Sequence, residues 1–212
     1  MKKIMFSERY GLEQAVLAGT KTMTRRIIPI DLYNQTDWKA VAEGDFEAVV
    51  DGEGYYHDIR NCGKYHIGEE VAIAQPYKND DVLTYNAYNE DGTAREDGLQ
   101  RHKEMLDSKG YRNKMFVKAE YMPHRIRITG IKVERLQDIS GGDCLKEGIT
   151  TITEGKNEVG NAYGWDPKID AIKRDSFFTP RAAFAALIDR ISGRDTWQRN
   201  PWVYAYTFEL IK

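Results

Sequence analysis

The chain has 212 residues, 41% of them hydrophobic, which suffices for one domain with a substantial core. Its 31 Lys and Arg against 33 Asp and Glu give a formal net charge of −2. That balance excludes a protein that coats polyanions indiscriminately, because such affinity comes from neutralising many phosphates. No apolar run is long enough to span a bilayer, and the start MKKIMFSERY is too poor in apolar residues for a secretory signal, so a cytoplasmic protein without a membrane partner is expected.

In chain order, Lys3 to Phe6 reads as a first strand. A helix near Glu8 to Ala18 follows, with Leu12, Ala15 and Val16 as its apolar stripe, Ser7 as N-cap and Gly19 as a left-handed terminator. A strand from about Thr22 to Ile30 comes next, then short β segments near Phe46 to Val50 and Glu70 to Ala74, separated by Asp51-Gly52 and Gly68. From Lys78 to Lys114 the composition turns polar and charged around one helix, about Leu99 to Ser108, and this segment is expected to be an insertion or lid with a solvated face.

The stretch Arg125 to Val133 carries its apolar residues at even positions, Ile126 and Ile128, and then at odd ones, Ile131 and Val133. A strand that stays half buried across that slip needs an extra residue, so a β-bulge is expected at Thr129-Gly130. Ser140 caps a short helix whose fourth residue is Asp143, Gly148 ends it, and Glu147 falls at its C-terminal end. Gly155, Gly160 and Gly164 read as a flexible loop. Thr179, Pro180, the stripe Phe184, Leu187, Ile188 and Ile191, and Gly193 delimit the clearest helix. The last strand alternates Trp202, Tyr204, Tyr206, Phe208 and Leu210 on one face, a row expected to pack in the core.

Cys62 and Cys144 lie far apart and outside any CxxC or Cys/His cluster, and His57, His66, His102 and His124 are scattered without ligand spacing. No metal and no cofactor are expected, and the cysteines should be buried or semi-buried free thiols. No phosphate-binding glycine loop is present in the sequence.

The densest chemistry is Gly19 to Arg26, GTKTMTRR, which places an ammonium, three hydroxyls and two guanidiniums at a turn anchored between a helix and a strand. This segment resembles the N-terminal signature of the ASCH-domain family, whose members have a PUA-like β-barrel, associate with RNA or modified nucleosides and are often encoded by phages. Three further blocks are similar to phage-type members: Tyr65 to Tyr77, YHIGEEVAIAQPY; Arg127 to Ile149, RITGIKVERLQDISGGDCLKEGI; and Phe184 to Phe208 with its NPW motif. The resemblance implies an α+β fold, a PUA-like mixed β-barrel with flanking helices, in one domain over residues 1–212 with a polar insertion at about 78–114.

Amidohydrolase members of that family remove the acetyl group of N4-acetylcytidine with a Lys and a Thr of the KTxT turn and a Glu of the short helix. Motif matching carries these roles to Lys21, Thr24 and Glu147, while Arg25, Arg26, Thr22 and Gln75 become candidates for contacting RNA or a nucleoside. Amide hydrolysis needs a nucleophile, a proton acceptor and a group that stabilises the carbonyl oxygen; Thr24 would attack with Lys21 assisting, or Glu147 would take the proton while Lys21 stabilises the oxyanion. Residues at odd and even offsets on a strand face opposite ways, so Lys21 must lie in the turn to reach Thr24, and parity places Arg26 rather than Arg25 beside Thr24. The chain departs from phage-type members at Ala74-Gln75, where an Arg-Glu pair is common. Two alternative functions use the same turn: a noncatalytic RNA-binding module, and a ribonuclease attacking a phosphodiester.

Overall fold

The computed structural model describes residues 1–153, 162–165 and 176–211, excluding the side chains of residues 152 and 153. Its elements run β1 (Lys2–Ile4), α1 (Leu12–Leu17), β2 (Met23–Ile27), α2 (Ile30–Asn34), α3 (Trp38–Glu43), β3 (Glu47–Val50), β4 (Tyr56–Asp58) and β5 (Glu70–Ile73). They continue with α4 (Asp80–Ala87), α5 (Gly98–Asp107), β6 (Arg125–Arg135), α6 (Gly141–Lys146), β7 (Thr150–Thr153), β8 (Ala162–Gly164), α7 (Pro180–Ser192), α8 (Thr196–Arg199) and β9 (Trp202–Ile211).

The chain is mixed α+β around a five-stranded sheet of order β1-β5-β6-β9-β2, in which β1 runs parallel to β5 and the other pairs are antiparallel. Among the described residues this sheet is open, so β1 and β2 are its edges. The long β6–β9 pair forms its spine, and the register slips between Ile128 and Gly130, at the bulge expected from the change of parity. β9 buries both faces: the aromatic row at Trp202, Tyr204, Tyr206 and Phe208 packs in the core, and Val203 and Ala205 are buried opposite it. Two small ribbons, β3–β4 and β7–β8, flank the sheet.

Several sequence expectations change. The first helix is Leu12–Leu17, with Gly11 in the left-handed conformation at its N-cap. Ser7 contributes no side-chain cap and instead accepts the Leu12 N–H through its backbone carbonyl. Gly164 belongs to strand β8, whereas Gly155 and Gly160 lie outside the described residues. The polar 78–114 segment is more than a solvated face. It holds a second helix, α4, and its Val82 and Met105 pack with Ala72, Ala74, Tyr77, Val117, Tyr121 and Met122 as a separate apolar cluster. The helix signals at Ser140 and Thr179 hold: Ser140 Oγ accepts the Asp143 N–H, and Thr179 Oγ1 the Ala182 N–H.

No helix among the described residues is long and apolar enough to cross a membrane. Cys62 and Cys144 are free thiols, half-buried and buried respectively. Among the described residues no three His, Cys, Asp or Glu side chains gather as a metal site would require.

Candidate functional site

Just past α1, Gly19 with a φ of +75° turns the chain back, and Thr20 and Lys21 then tie their amides to the Ala15 carbonyl. Lys21 therefore sits in the turn before β2, as its reach to Thr24 requires. The Thr22 amide donates to Lys146 O at the end of α6, which docks the turn against that helix's C-terminus. This docking brings Glu147, the C-cap of α6, onto Lys21, 126 positions away in sequence.

Lys21 is 2% exposed and spends all three N–H bonds on protein acceptors: Glu147 Oε2 at 2.7 Å, Glu147 O at 2.7 Å and Met23 O at 2.8 Å. Three acceptors match an ammonium, and a cation is well placed at the negative end of a helix. Burial pulls the Lys21 pKa below the ordinary lysine value, the Glu147 carboxylate opposes that pull, and Arg26 and Arg25 add to it. The other Glu147 oxygen, Oε1, accepts from Arg25 Nη1 at 3.1 Å. Gly148, with φ +97°, follows directly, and a Cβ there would press on Leu12 at 3.1 Å.

On β2 the parity expectation holds. Thr24 and Arg26 pair with Tyr206 and Tyr204 of β9, and Arg25 projects the other way. Arg25 is a buried tie: its Nη2 and Nε reach Glu134 Oε1 at 2.6 and 3.0 Å, Asp143 Oδ2 lies 3.7 Å from Nη2, and Phe184 lies beneath the guanidinium. Arg25 also lines the cleft, held there by these acidic partners. Arg26 behaves differently. It donates to Met5 O at 2.8 Å across the gap between the two sheet edges, lies over the Phe6 ring and has no ion pair among the described residues.

Lys21, Thr24, Arg25, Arg26 and Glu147 line one open cleft of about 410 Å³, with Phe6 and Leu12 and, from α7, Leu187, Ile188 and Ile191 as its apolar walls. The Thr24 side chain is buried at 5% exposure, and among the described residues its hydroxyl has no hydrogen-bond partner. The anticipated set of amine, hydroxyl and carboxylate thus meets on one concave surface. Cys144 lies next to this network, but burial pushes its thiol up to about 11, which disqualifies it as a nucleophile near neutral pH.

Two anticipated contacts do not reach the cleft. Gln75 is 2% exposed behind α1, where its Nε2 donates to Glu13 Oε1 at 3.3 Å. Glu13 in turn holds Lys114 at 2.7 Å, and Lys114 also donates to the Phe6 carbonyl. Gln75 is therefore part of a buried polar tie between the main sheet and the 78–114 segment. Thr22 contributes backbone bonds to Lys146 and Phe208, and its side chain is outside the cleft lining. Sequence reasoning missed the walls supplied by Phe6 and α7, and the anchoring of Arg25 by Glu134 and Asp143. The stripe of α7 announced that its residues would be apolar but not that Ile191, 40% exposed, would face the cleft.

Comparisons with family models, with curated proteins and with solved structures found no match.

Proposed function

We propose that this chain is a cytoplasmic ASCH-type, PUA-like protein that binds RNA or a modified nucleoside in the cleft and hydrolyses an N-acyl bond of the N4-acetylcytidine kind. The observation that carries this reading is the meeting of Lys21, Thr24 and Glu147 on one cleft, with the Thr24 hydroxyl unpartnered among the described residues and Lys21 Nζ 2.7 Å from Glu147 Oε2. The resemblance of GTKTMTRR and of the three later blocks supplies the substrate class.

In the proposed reaction Lys21 acts in its neutral form, which burial favours and the Glu147 carboxylate 2.7 Å away opposes. The neutral amine takes the Thr24 proton as Oγ1 attacks the acyl carbon, and Arg26, without a carboxylate partner among the described residues, meets the charge on the carbonyl oxygen. Lys21 returns the proton to the departing N4 nitrogen as the C–N bond breaks. Water, deprotonated by the same amine, then cleaves the Thr24 ester, releases the carboxylic acid and restores the hydroxyl. Arg25 fixes Glu147 from the far side and acts as a positioning residue.

Incubation with N4-acetylcytidine, followed by chromatography, should show cytidine, and Thr24→Ala and Lys21→Met should each abolish its release. Release that survives both substitutions would overturn the mechanism. Single-stranded RNA incubated in parallel tests the alternatives: scission would identify a ribonuclease, and salt-sensitive binding without turnover a recognition module.

A further inference from the structure

The cleft has a neighbour. Beyond Arg26 and Ile27, which line both, lies a second cavity of about 240 Å³ whose walls include Lys3, Lys64, Tyr65, Tyr204 and Tyr206. Three cations border it, and none of them has an ion pair among the described residues. Arg26 gives one N–H to Met5 O, Lys3 donates to Met115 O and Val117 O at 2.8 and 2.6 Å, and Lys64 lies over the Tyr65 ring at 5.5 Å. The nearby acids are engaged elsewhere: Glu69 by Lys2 at 3.0 Å, and Asp58 by Arg60. Burial, with Lys64 adding to it, pulls the Lys3 pKa down.

The tyrosines offer this space little besides apolar wall. Tyr65, Tyr204 and Tyr206 are 3%, 2% and 1% exposed, so their ring faces are not available for base stacking. The Tyr65 and Tyr204 hydroxyls already donate to Lys3 O and Ile59 O. What remains unsatisfied is positive charge, and the ligand that answers it is a compact anion with several acceptor oxygens. In a nucleotide such an anion is joined through the ribose to the base, which matches two adjoining cavities that share Arg26.

We propose that the second cavity is a phosphate subsite, so that the ligand of the cleft is a nucleotide carrying a ribose phosphate, free or within RNA, rather than a bare nucleoside. This rests on the reading of the larger cleft as a nucleoside site. Lys64 carries the test, because it is exposed and its side chain makes no hydrogen bond among the described residues, so Lys64→Ala should leave the fold intact.

Calorimetric titration with N4-acetylcytidine, its 3′- and 5′-monophosphates and inorganic phosphate should show at least one monophosphate binding about tenfold or more tightly than the nucleoside, as one charge-assisted contact provides. In Lys64→Ala that ratio should fall towards one. A short single-stranded RNA carrying the modified base should show the same Lys64 dependence if the phosphate is internal to a strand, and only the free monophosphate should show it otherwise. Equal affinity of nucleoside and monophosphates would overturn the subsite while leaving the cleft reading intact, as would a phosphate advantage that survives Lys64→Ala. Inorganic phosphate binding that is lost in Lys64→Ala, without any nucleoside binding, would support the subsite and refute the cleft reading. Binding of none of these probes would overturn both.

Discussion

Removing Glu147 should cost far more than removing Lys21, and removing both should cost less than removing Glu147 alone. Glu147 holds two buried cations, Lys21 at 2.7 Å and Arg25 at 3.1 Å, and all three side chains are 6% exposed or less. Glu147→Leu leaves the Lys21 ammonium with only two carbonyls, a buried charge without a counter-ion, and losses of this kind run to about 3–5 kcal/mol. Lys21→Met leaves Glu147 still paired with Arg25, so its cost should fall below that range. In the double variant Lys21→Met/Glu147→Leu no lone charge remains, because Arg25 keeps Glu134 at 2.6 Å and Asp143 at 3.7 Å.

The assay is urea unfolding of the four proteins in a double-mutant cycle, with thermal melts alongside. For a chain of this size each kcal/mol moves the midpoint by about 2–4 °C, so Glu147→Leu should melt about 6–20 °C lower than the parent. The double variant should recover a large part of that loss, with a coupling above about 1 kcal/mol. The pH dependence checks the same site. Because the folded Lys21 pKa lies below 10.5, the unfolded chain binds more protons between the two values, and stability rises with pH through that window. Lys21→Met should remove that rise. Additive single losses, or a cost for Glu147→Leu below about 1 kcal/mol as for an exposed pair, would refute the buried ion-pair account.

Four further outcomes follow from individual contacts. Lys114→Met should destabilise by about 3 kcal/mol or more, since it leaves the fully buried Glu13 with Gln75 alone. Glu13 has the opposite pH sign to Lys21: burial raises its pKa above 4.5, so its contribution is complete below pH 4.5 and is lost as pH rises through the folded value, and Glu13→Gln should flatten that decline in urea midpoints measured upward from pH 4.5. Gly63→Ala should cost about 1–3 kcal/mol, because its Cβ would lie 2.6 Å from the Tyr206 hydroxyl oxygen and 3.3 Å from the Tyr204 ring, and an unchanged melting temperature would contradict the close approach. Thr24→Val should stay within about 1 kcal/mol of the parent in stability while losing turnover, because it deletes a hydroxyl without a partner among the described residues and keeps the side-chain shape.

What the sequence revealed was local. Thr179, Pro180, the apolar stripe and Gly193 delimited α7 because caps, proline and period all act within a few residues of one another. The bulge at Gly130 was visible because a parity slip leaves its trace in the side chains themselves. The short helices α2, α3 and α4 were not legible: α2 buries none of its residues, α3 buries only Val41, and α4 buries Val82 with a polar Asn86 that bonds Val82 O and Tyr121 O. The contact between residues 21 and 147 has no periodic signature at all. Motif matching named the two side chains, and the docking of the Lys21 turn on α6 joins them. The setting of Gln75 beside Glu13 was illegible for the reverse reason, since a strand-end glutamine reads the same whether it faces a cleft or a buried glutamate.

The position of the cleft follows from the open edges of the sheet. An edge strand presents carbonyls without backbone partners, and proteins must cover or cap them. Here long cationic side chains do so: Lys21 takes Met23 O on the edge strand β2, Arg26 takes Met5 O just past β1, and Lys114 takes Phe6 O one residue further. A cation bonded only to carbonyls leaves its charge uncompensated, whereas a cation and carboxylate in contact are neutral as a pair. Arg26, bonded to Met5 O, and Lys3, bonded to Met115 O and Val117 O away from the edge strands, have no ion pair among the described residues, so positive charge stays uncompensated along the gap between β1 and β2. The same gap holds both cavities. If this account is right, Arg26→Met should loosen the gap and weaken anion binding together, whereas Lys64→Ala, which caps nothing, should weaken anion binding alone. Native-state hydrogen exchange at the Met5 to Ser7 amides, measured beside phosphate titrations of both variants, separates the two effects. Equal protection in Arg26→Met and the parent would break the link between edge capping and charge.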